Sequence, residues 1–228
     1  MRARLLEWRE IAPEVRHFVF EIPEVEQFSF VPGQFVSFHA DINGQQFTRA
    51  YSIASAPAGN RFELCLNLVK EGHFSPHLFA LKPGDTIAIT GPFGTFVFRD
   101  PARDSLLIAT GTGIAPFRAM LPSRLAADPA HQYTLLFGAR YQHGLLYSEE
   151  FEALASRFNN FRFWPTLTRP ENWTGRTGRV QAHLADALGV SRDQNVYLCG
   201  LKAMVDNIRL TLKSLGFDRK QIVYEKYD

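Results

Sequence analysis

The chain has little cysteine. Its 228 residues include only Cys65 and Cys199, which lie far apart in the sequence. An iron–sulfur cluster needs four thiolates and a structural zinc site needs a cluster of cysteine and histidine, so two distant cysteines supply neither. Any redox chemistry would therefore use an organic cofactor, and we expect no metal site.

The chain also lacks an excess of charge and a long apolar run. Lys plus Arg number 25 against 23 Asp plus Glu, so the bulk charge does not favour nucleic acid or a membrane surface as a partner. The first ten residues carry charges where a signal peptide needs its apolar segment, and no apolar run is long enough to span a bilayer. We expect a soluble, cytoplasmic protein, by default a monomer, without nucleic-acid or membrane partners.

The length allows two domains. A chain of 228 residues with 46% hydrophobic content can bury two cores, each in a domain of about 100 to 120 residues. Residues 100–104 are charged and include a proline, which predicts a linker. We expect one domain at 1–99 and another at 105–228.

Short segments rich in β-branched and aromatic residues dominate the first domain, separated by turn signals such as Asn43-Gly44. Such short, evenly spaced strands predict an antiparallel arrangement, which we take as a six-stranded β-barrel with one helix at 76–81. Five of the strands are predicted at definite positions: 15–22, 34–39, 47–53, 61–69 and 86–90.

Strand-like and helix-like segments alternate in the second domain. This alternation predicts a five-stranded parallel, doubly wound α/β sheet with ligand-binding loops at the carboxyl ends of its strands. Ser148 is a candidate N-cap because an apolar stripe at helical spacing follows it. The predicted strands are 106–110, 133–138, 161–164, 195–199 and 221–224, and the predicted helices are 117–127, 148–158, 179–188 and 202–215.

The stretch from Leu106 to Pro116 is the centre of this domain. A buried strand turns on Gly111 and Gly113 and enters a helix through Pro116, which suits a first helical turn. Glycine lets a pyrophosphate approach the backbone N–H groups closely. The full Gly-x-Gly-x-x-Gly fingerprint is absent, so a tight turn of an ordinary α/β domain is the alternative.

Two features of the first domain also suit a ligand that carries a phosphate and an aromatic ring system. In Arg49-Ala-Tyr-Ser52, the guanidinium can pair with a phosphate, the phenol ring offers a face to an aromatic ring system, and the hydroxyl offers a small donor. Gly72 and Ser75 stand at a predicted helix start, where a phosphate is favoured. The alternatives are a strand with one exposed arginine and an ordinary helix cap.

Eight short motifs, in order along essentially the whole chain, resemble the ferredoxin–NADP reductase family. They are Arg49-Ala-Tyr-Ser52, Gly72-x-x-Ser75-Pro76, Leu81-Lys-Pro-Gly84-Asp85, Gly91-Pro-Phe-Gly94, Gly111-Thr-Gly-Ile-Ala-Pro116, Leu146-Tyr147-x-Glu-Glu-Phe151, Cys199-Gly-x-x-x-Met204 and Tyr224-Glu-Lys-Tyr227. The resemblance implies an N-terminal barrel that holds FAD, a C-terminal domain that holds a nicotinamide dinucleotide, and two rings stacked at the interface.

The resemblance also implies roles for individual residues. It assigns Arg49 to the flavin pyrophosphate, Tyr51 to one face of the isoalloxazine, Ser52 to the neighbourhood of flavin N5 and Ser75 to the pyrophosphate. It makes Ser52, Cys199 and Glu225 the catalytic set beside the reacting rings, although a small buried residue at a strand end is the alternative for Cys199. The other cofactor-binding residues that it implies are Ala50, Gly72, Phe74, Thr112, Gly113, Gly200, Met204 and Tyr227.

The end of the sequence departs from the family. An aromatic residue that covers the second face of the flavin is last in many members, whereas Asp228 follows Tyr227 here. Many bacterial relatives carry a terminal tryptophan that meets the FAD adenine, and Asp228 cannot do so. The way in which the adenine is held is therefore open.

Arginines at predicted strand ends favour NADP over NAD. The 2′-phosphate of NADP asks for several guanidinium or hydroxyl partners, and bacterial relatives bind it at Ala-Arg, Thr-Arg and Thr-Gly-Arg positions. The alternative is that these arginines keep loops soluble. The residues concerned are Arg140, Thr168, Arg169, Arg176 and Arg179.

The resemblance implies an FAD-dependent oxidoreductase that transfers a hydride between NADP(H) and flavin. Its electrons would pass to or from a ferredoxin or a flavodoxin. The alternatives within the enzyme class are a free-flavin reductase and the reductase component of an oxygenase. A non-catalytic flavin- and nucleotide-binding redox regulatory module is the alternative outside it.

Overall fold

A computed structural model describes residues 1–227, so the expectation about Asp228 and the FAD adenine lies outside the described residues. By its internal contacts, the chain divides into two compact units. The first comprises Met1–Val97 and Ala115–Met120, and the second comprises Phe98–Ile114 and the chain from Leu121 on. The domain boundaries drawn from the sequence stay a prediction. None of the helices in residues 1–227 has the length and apolar character needed to cross a membrane.

The first unit is built on a six-stranded antiparallel sheet with the strand order β4-β3-β6-β1-β2-β5. Its elements are β1 (Arg2–Ala12), β2 (Val15–Glu21), β3 (Phe35–Ile42), β4 (Gln45–Ser52), β5 (Arg61–Asn67), α1 (Phe74–Ala80) and β6 (Thr86–Phe93). Phenylalanines on alternate positions of these strands, among them Phe20 and Phe62 with ring centroids 5.5 Å apart, fill the core. Each such ring stabilises the fold by about 1.5–3 kcal/mol relative to an exposed one.

The six antiparallel strands confirm the predicted class, but the barrel is not closed by a continuous ladder. In the described residues, the edge strands β4 and β5 meet at an isolated bridge between Ile53 and Leu64. The first strand, β1, was not among those read from the sequence. Only Ala3 and Leu5 of β1 are fully buried, and its stretch Glu7–Glu10 is exposed and carries three charges, so the period-two pattern is short.

The second unit is a parallel sheet with the strand order β10-β9-β8-β7-β11-β12, flanked by helices. Its elements are β7 (Ser105–Thr110), α2 (Ala115–Ala127), β8 (Tyr133–Ala139), α3 (Ser148–Arg157), β9 (Phe161–Leu167), β10 (Arg176–Thr177), α4 (Leu184–Leu188), β11 (Asn195–Leu201), α5 (Lys202–Ser214) and β12 (Ile222–Tyr227). The first six residues of α2 belong to the first unit by their contacts. Strands β7 and β11 lie side by side in the sheet and are almost completely buried, as their continuous aliphatic runs predict.

Two details of the second unit differ from the prediction. The sheet has a sixth strand, β10, whose two residues are too few to produce a periodic signal. The predicted N-cap, Ser148, is instead the first helical residue of α3. Tyr147 occupies the cap in the left-handed region at φ 57°, without a capping side-chain hydrogen bond.

Candidate functional site

In the first unit, the predicted flavin residues lie at the carboxyl end of β4. Tyr51 is half-buried, and its ring packs against Phe38 and Phe74 with centroid distances of 5.9 and 6.3 Å. Burial raises the pKa of Tyr51 to about 12, although the positive charge of Arg49 opposes the shift. The phenol therefore stays protonated at physiological pH and presents a supported aromatic ring.

Arg49 and Ser52 flank this ring along the strand. The guanidinium of Arg49 lies on an exposed residue and donates through Nη1 to the carbonyl of Thr48 at 2.8 Å. Because a guanidinium carries five N–H donors, it retains donors for a phosphate. Ser52 is 7% exposed and Ala50 is exposed. The end of β4 thus presents an aromatic ring, a cation and a hydroxyl together.

The segment from Val69 to Ser75 forms a tight turn before α1. The N–H of Val69 donates to Ser75 Oγ at 2.8 Å, and the N–H of Gly72 donates to the Val69 carbonyl at 2.8 Å. The ring of Phe74 is buried and packs against Tyr51, so the side chain of Phe74 supports the strand end. The Ser75 hydroxyl closes the turn.

In the second unit, the ends of the neighbouring strands β7 and β11 meet at unusually short range. A β-carbon built on Gly113 would lie 2.3 Å from the carbonyl oxygen of Cys199. A β-carbon built on Gly200, where φ is +141°, would lie 2.5 Å from Thr110 Oγ1. Glycine is thus required on both sides, and Gly111–Ile114 forms a 3₁₀ turn with Pro116 in the first turn of α2. Thr112 lies in this turn, and buried Met204 lies in the first turn of α5.

Thr110 was not among the site residues predicted from the sequence. Its Oγ1 is buried and has no hydrogen-bond partner in the described residues. A buried hydroxyl left unpaired costs about 1–3 kcal/mol, so the Thr110 hydroxyl is a candidate to form a hydrogen bond with a bound ligand. The sequence feature that could have identified Thr110 is its position as the last residue of β7, directly before Gly111.

Cys199, Glu225 and Tyr227 lie together where β11 pairs with β12. Cys199 is opposite Glu225, and Leu201 is opposite Tyr227. Burial and then the Glu225 carboxylate raise the pKa of the Cys199 thiol well above its usual value, and a hydrogen bond from the Tyr227 side chain opposes this. The thiol is therefore protonated at neutral pH.

Three of the predicted arginines, Arg140, Arg169 and Arg179, follow strands β8, β9 and β10, which are neighbours in the sheet, and Arg176 is the first residue of β10. The N–H of Arg169 donates to the carbonyl of Arg140 at 2.8 Å, so these two residues lie side by side. Arg169 Nη1 also donates to the hydroxyl of Tyr141 at 3.2 Å. Arg140, Arg169 and Arg179 are exposed, as is Thr168. This edge of the sheet therefore carries several accessible guanidinium groups.

Arg176 differs from the other three arginines. Its guanidinium carbon lies 3.8 Å from the centroid of the Trp164 ring, and its carbonyl accepts from Trp173 Nε1 at 2.9 Å. The residue is half-buried. Arg176 is therefore held by a cation–π contact within its own unit.

Comparison with known proteins decides the family. Residues 2–98 match the oxidoreductase FAD-binding domain family, and residues 107–209 match the oxidoreductase NAD-binding domain family. The chain is 41% identical over 237 residues to ferredoxin–NADP reductase B of Sorangium cellulosum strain So ce56, across 99% of this chain and 97% of that protein. The chain belongs to the ferredoxin–NADP reductase family.

Other similar proteins are named for different electron-transfer partners. The reductase is 30% identical over 204 residues to the toluate 1,2-dioxygenase electron transfer component of Pseudomonas putida, across 89% of this chain and 60% of that protein. Its structure matches the Amycolatopsis cytochrome P450 reductase with a TM-score of 0.90 and 28% identity, across 99% of this chain and 69% of that one. The predicted family, fold class and oxidoreductase activity are confirmed, and the electron partner is a separate question.

The residues of the reductase fit the two cofactors that its domain families bind, FAD and a nicotinamide dinucleotide. In the second unit, the Thr110 hydroxyl has no partner in the described residues and precedes the Gly111–Ile114 turn, whose backbone N–H groups suit a phosphate. In the first unit, the supported ring of Tyr51 next to Arg49 matches an aromatic group that carries a phosphate.

Proposed function

We propose that the reductase uses NADP(H) rather than NAD(H) and exchanges electrons with a ferredoxin or a flavodoxin. The observation that carries the nucleotide choice is the backbone contact that sets Arg140 and Arg169 side by side, with Arg179 beyond β10. A 2′-phosphate is a dianion near neutral pH, and neighbouring exposed guanidinium groups bind it with charge-assisted hydrogen bonds. A site selective for NAD would instead place a carboxylate near the ribose hydroxyl.

When bound, FAD and the nicotinamide supply the chemistry, the transfer of a hydride between nicotinamide and flavin. The chain contributes binding and orientation. In our proposal, Arg49 and Ser75 hold the flavin pyrophosphate, Gly72 and the backbone of Phe74 complete that loop, and Tyr51 supports one face of the ring. Thr110, Thr112 and Gly113 hold the dinucleotide.

Around the reacting atoms, the chain supplies a neutral hydroxyl and a neutral thiol. Ser52 is nearly buried at the end of β4, and burial with the Glu225 carboxylate raises the pKa of Cys199, so the thiol keeps its proton. We assign Ser52 and Cys199 to orientation of the rings and Glu225 to setting local charge and proton supply. Gly200 and Met204 shape the end of β11, and Tyr227 covers the flavin at rest.

Steady-state kinetics test the nucleotide assignment directly. With ferricyanide as acceptor, we expect kcat/KM for NADPH to exceed that for NADH by at least about tenfold. Equal values would contradict the assignment of the arginines.

A panel of acceptors tests the electron partner. Cytochrome c reduction would be measured with purified ferredoxins and flavodoxins added one at a time. Saturable stimulation by either class supports the proposal. Rapid reduction of free flavin without such stimulation would point to a flavin reductase, and stimulation only by an oxygenase would point to an oxygenase component, as in the relative from Pseudomonas putida.

A further inference from the structure

Arg118 lies on the first half of α2, four residues after the Gly111–Ile114 turn, and its contacts are with the first unit. Its Nη1 donates to the carbonyl oxygen of Ala54 at 2.8 Å and to Glu63 Oε2 at 2.5 Å. The side chain of Arg118 is 18% exposed and that of Glu63 is 29% exposed. The pair is therefore partly shielded from water, where a charge-assisted hydrogen bond is stronger than on an open surface.

The two acceptors of Arg118 are themselves fixed to each other. The N–H of Ala54 donates to the carbonyl of Glu63 at 2.8 Å, and the N–H of Glu63 donates to Ser55 Oγ at 3.1 Å. The carboxylate of Glu63 also lies 3.5 Å from Nε2 of buried His17. Arg118 thus binds a preformed pair of oxygens rather than a mobile surface acceptor.

Ala54 stands two residues beyond Ser52 on the segment that continues from β4. It is fully buried, and Ile53 before it makes the bridge to Leu64. Through Ala54, Arg118 grips the chain immediately after the residues that we assign to the flavin. The contact is to a backbone carbonyl, so it constrains the path of the strand end and not a single side chain.

Apolar neighbours fix the same part of α2. The ring of Phe117 is buried and lies 5.7 Å from that of Phe96 between centroids. A β-carbon built on Gly33 would lie 3.1 Å from the sulfur of Met120 and 2.0 Å from the carbonyl of Phe96. These apolar contacts also hold the helix segment, and Arg118 adds a directional contact to Ala54, just beyond β4, and to Glu63 on β5.

We infer that Arg118 is a positioning residue for hydride transfer. It ties the helix that leaves the dinucleotide-binding turn to the strand end that leaves the flavin-binding residues. This inference rests on the cofactor sites of the proposed function, but not on the choice of NADP or of the electron partner. Because hydride transfer requires close alignment of two rings, and a misplacement of about 1 Å can cost roughly 100-fold in rate, loss of this tie should slow the chemical step more than binding.

The test compares Arg118→Ala, Arg118→Lys and Glu63→Gln with the wild type. Arg4→Ala is the matched control. Arg4 on β1 forms an ion pair with Glu21 on β2, and both residues are remote in sequence from Ala54, Glu63 and the Gly111–Ile114 turn. The measurements are bound FAD per chain, the dissociation constant of NADP⁺, and the rate constant of flavin reduction after rapid mixing with NADPH and, separately, NADH.

For Arg118→Ala we expect a fall in the reduction rate constant of roughly 10- to 100-fold with either nucleotide. FAD content and NADP⁺ affinity should stay within about twofold of wild type. Arg118→Lys keeps the positive charge but lacks the planar guanidinium, so its rate constant of flavin reduction should lie between those of wild type and Arg118→Ala. Glu63→Gln keeps the shape of the carboxylate and should slow reduction less than Arg118→Ala. Arg4→Ala should not slow it.

An unchanged reduction rate in Arg118→Ala would overturn the inference, as would a slowing that Arg4→Ala reproduces. If Arg118→Ala fails to fold, Arg118→Lys and Glu63→Gln decide the question, and wild-type rates in both would overturn it. Failure of the proposed function would be distinguishable, because it would show in the wild-type protein. The wild type would then use NADH as well as NADPH, or would not respond to a ferredoxin or flavodoxin.

Discussion

The side chain of Tyr227 forms a hydrogen bond with the thiol of Cys199 where strands β11 and β12 run side by side. The Glu225 carboxylate acts on the same thiol and, with burial, keeps it protonated. Three residues predicted from family motifs thus lie in one cluster of the second unit. In this cluster, Tyr227, which we expect to cover the flavin, contacts Cys199, which we expect to border the nicotinamide.

Removal of Tyr227 should change nucleotide binding. If Tyr227 covers the flavin at rest, the nicotinamide must displace it before hydride transfer, and this displacement limits turnover. Deletion of Tyr227 and Asp228 should tighten NADP⁺ binding and shift the preference towards NADH, which titration and steady-state kinetics would measure. Tyr227→Phe keeps the ring and removes the hydrogen bond to Cys199, so it should behave like wild type in both measurements. Unchanged affinity and selectivity in the deletion would contradict the stacking role.

The raised pKa of Tyr51 predicts a loss of stability at alkaline pH. Folding raises this pKa from 10.0 to about 12, so the folded state holds the proton more tightly than the unfolded state. The resulting stabilisation is fully present below pH 10 and is lost as pH rises towards 12. Its upper limit is about 2.7 kcal/mol, at about 1.36 kcal/mol per unit.

Tyr51→Phe is the comparison that isolates this effect, because it removes the titrating group and keeps the ring. Between pH 10 and 12, the free energy of unfolding of the wild type should fall relative to that of Tyr51→Phe. A difference that stays constant across this range would mean that Tyr51 does not titrate as described. Denaturant unfolding at several pH values supplies the measurement.

Arginine substitutions should separate nucleotide selectivity from structure. Arg140→Ala and Arg169→Ala should each raise KM for NADPH by roughly 10-fold or more, the loss of about 1.5–3 kcal/mol expected for a charged hydrogen bond, with little effect on NADH. Arg176→Ala is the matched comparison, because its guanidinium stacks on Trp164. We expect it to lower thermal stability and to change selectivity less. Equal effects of all three on NADPH and NADH would refute a 2′-phosphate site.

Thr110→Val should uncouple stability from activity. The substitution keeps the shape and removes a buried hydroxyl that has no partner in the described residues, so the free energy of unfolding should stay level or rise by up to about 1 kcal/mol. If the hydroxyl binds the dinucleotide, KM for NADPH should rise or flavin reduction should slow. Full activity together with unchanged stability would remove Thr110 from the site. Chemical denaturation and rapid-mixing kinetics measure the two quantities.

Gly113→Ala should disrupt the second unit. Its β-carbon would overlap the Cys199 carbonyl at 2.3 Å, so the backbone of β11 or of the turn must shift, at a cost of about 2–4 kcal/mol. Gly144→Ala is the control, because its β-carbon would meet the side chain of Ala139 at an ordinary 3.5 Å. A melting temperature for Gly113→Ala equal to that of the control would show that the strand ends can separate freely.

The sequence by itself determined the fold class, most of the elements in their order and, through the family motifs, the two cofactor classes. Aliphatic runs such as the one ending at Thr110 and paired glycines are local signals, because burial on both sides of a strand and tight turns restrict residue types where they occur. It did not reveal β1, whose charged outer residues hide its period, or β10, which is two residues long.

Only the tertiary structure decided which side chains meet. The stacking of Arg176 on Trp164 and the hydrogen bonds of Arg118 to Ala54 and Glu63 join residues that are between 12 and 64 positions apart. The lack of a partner for the Thr110 hydroxyl among the described residues is likewise visible only in the folded structure. No local pattern encodes such contacts, because they depend on strand register and on how far each loop folds back.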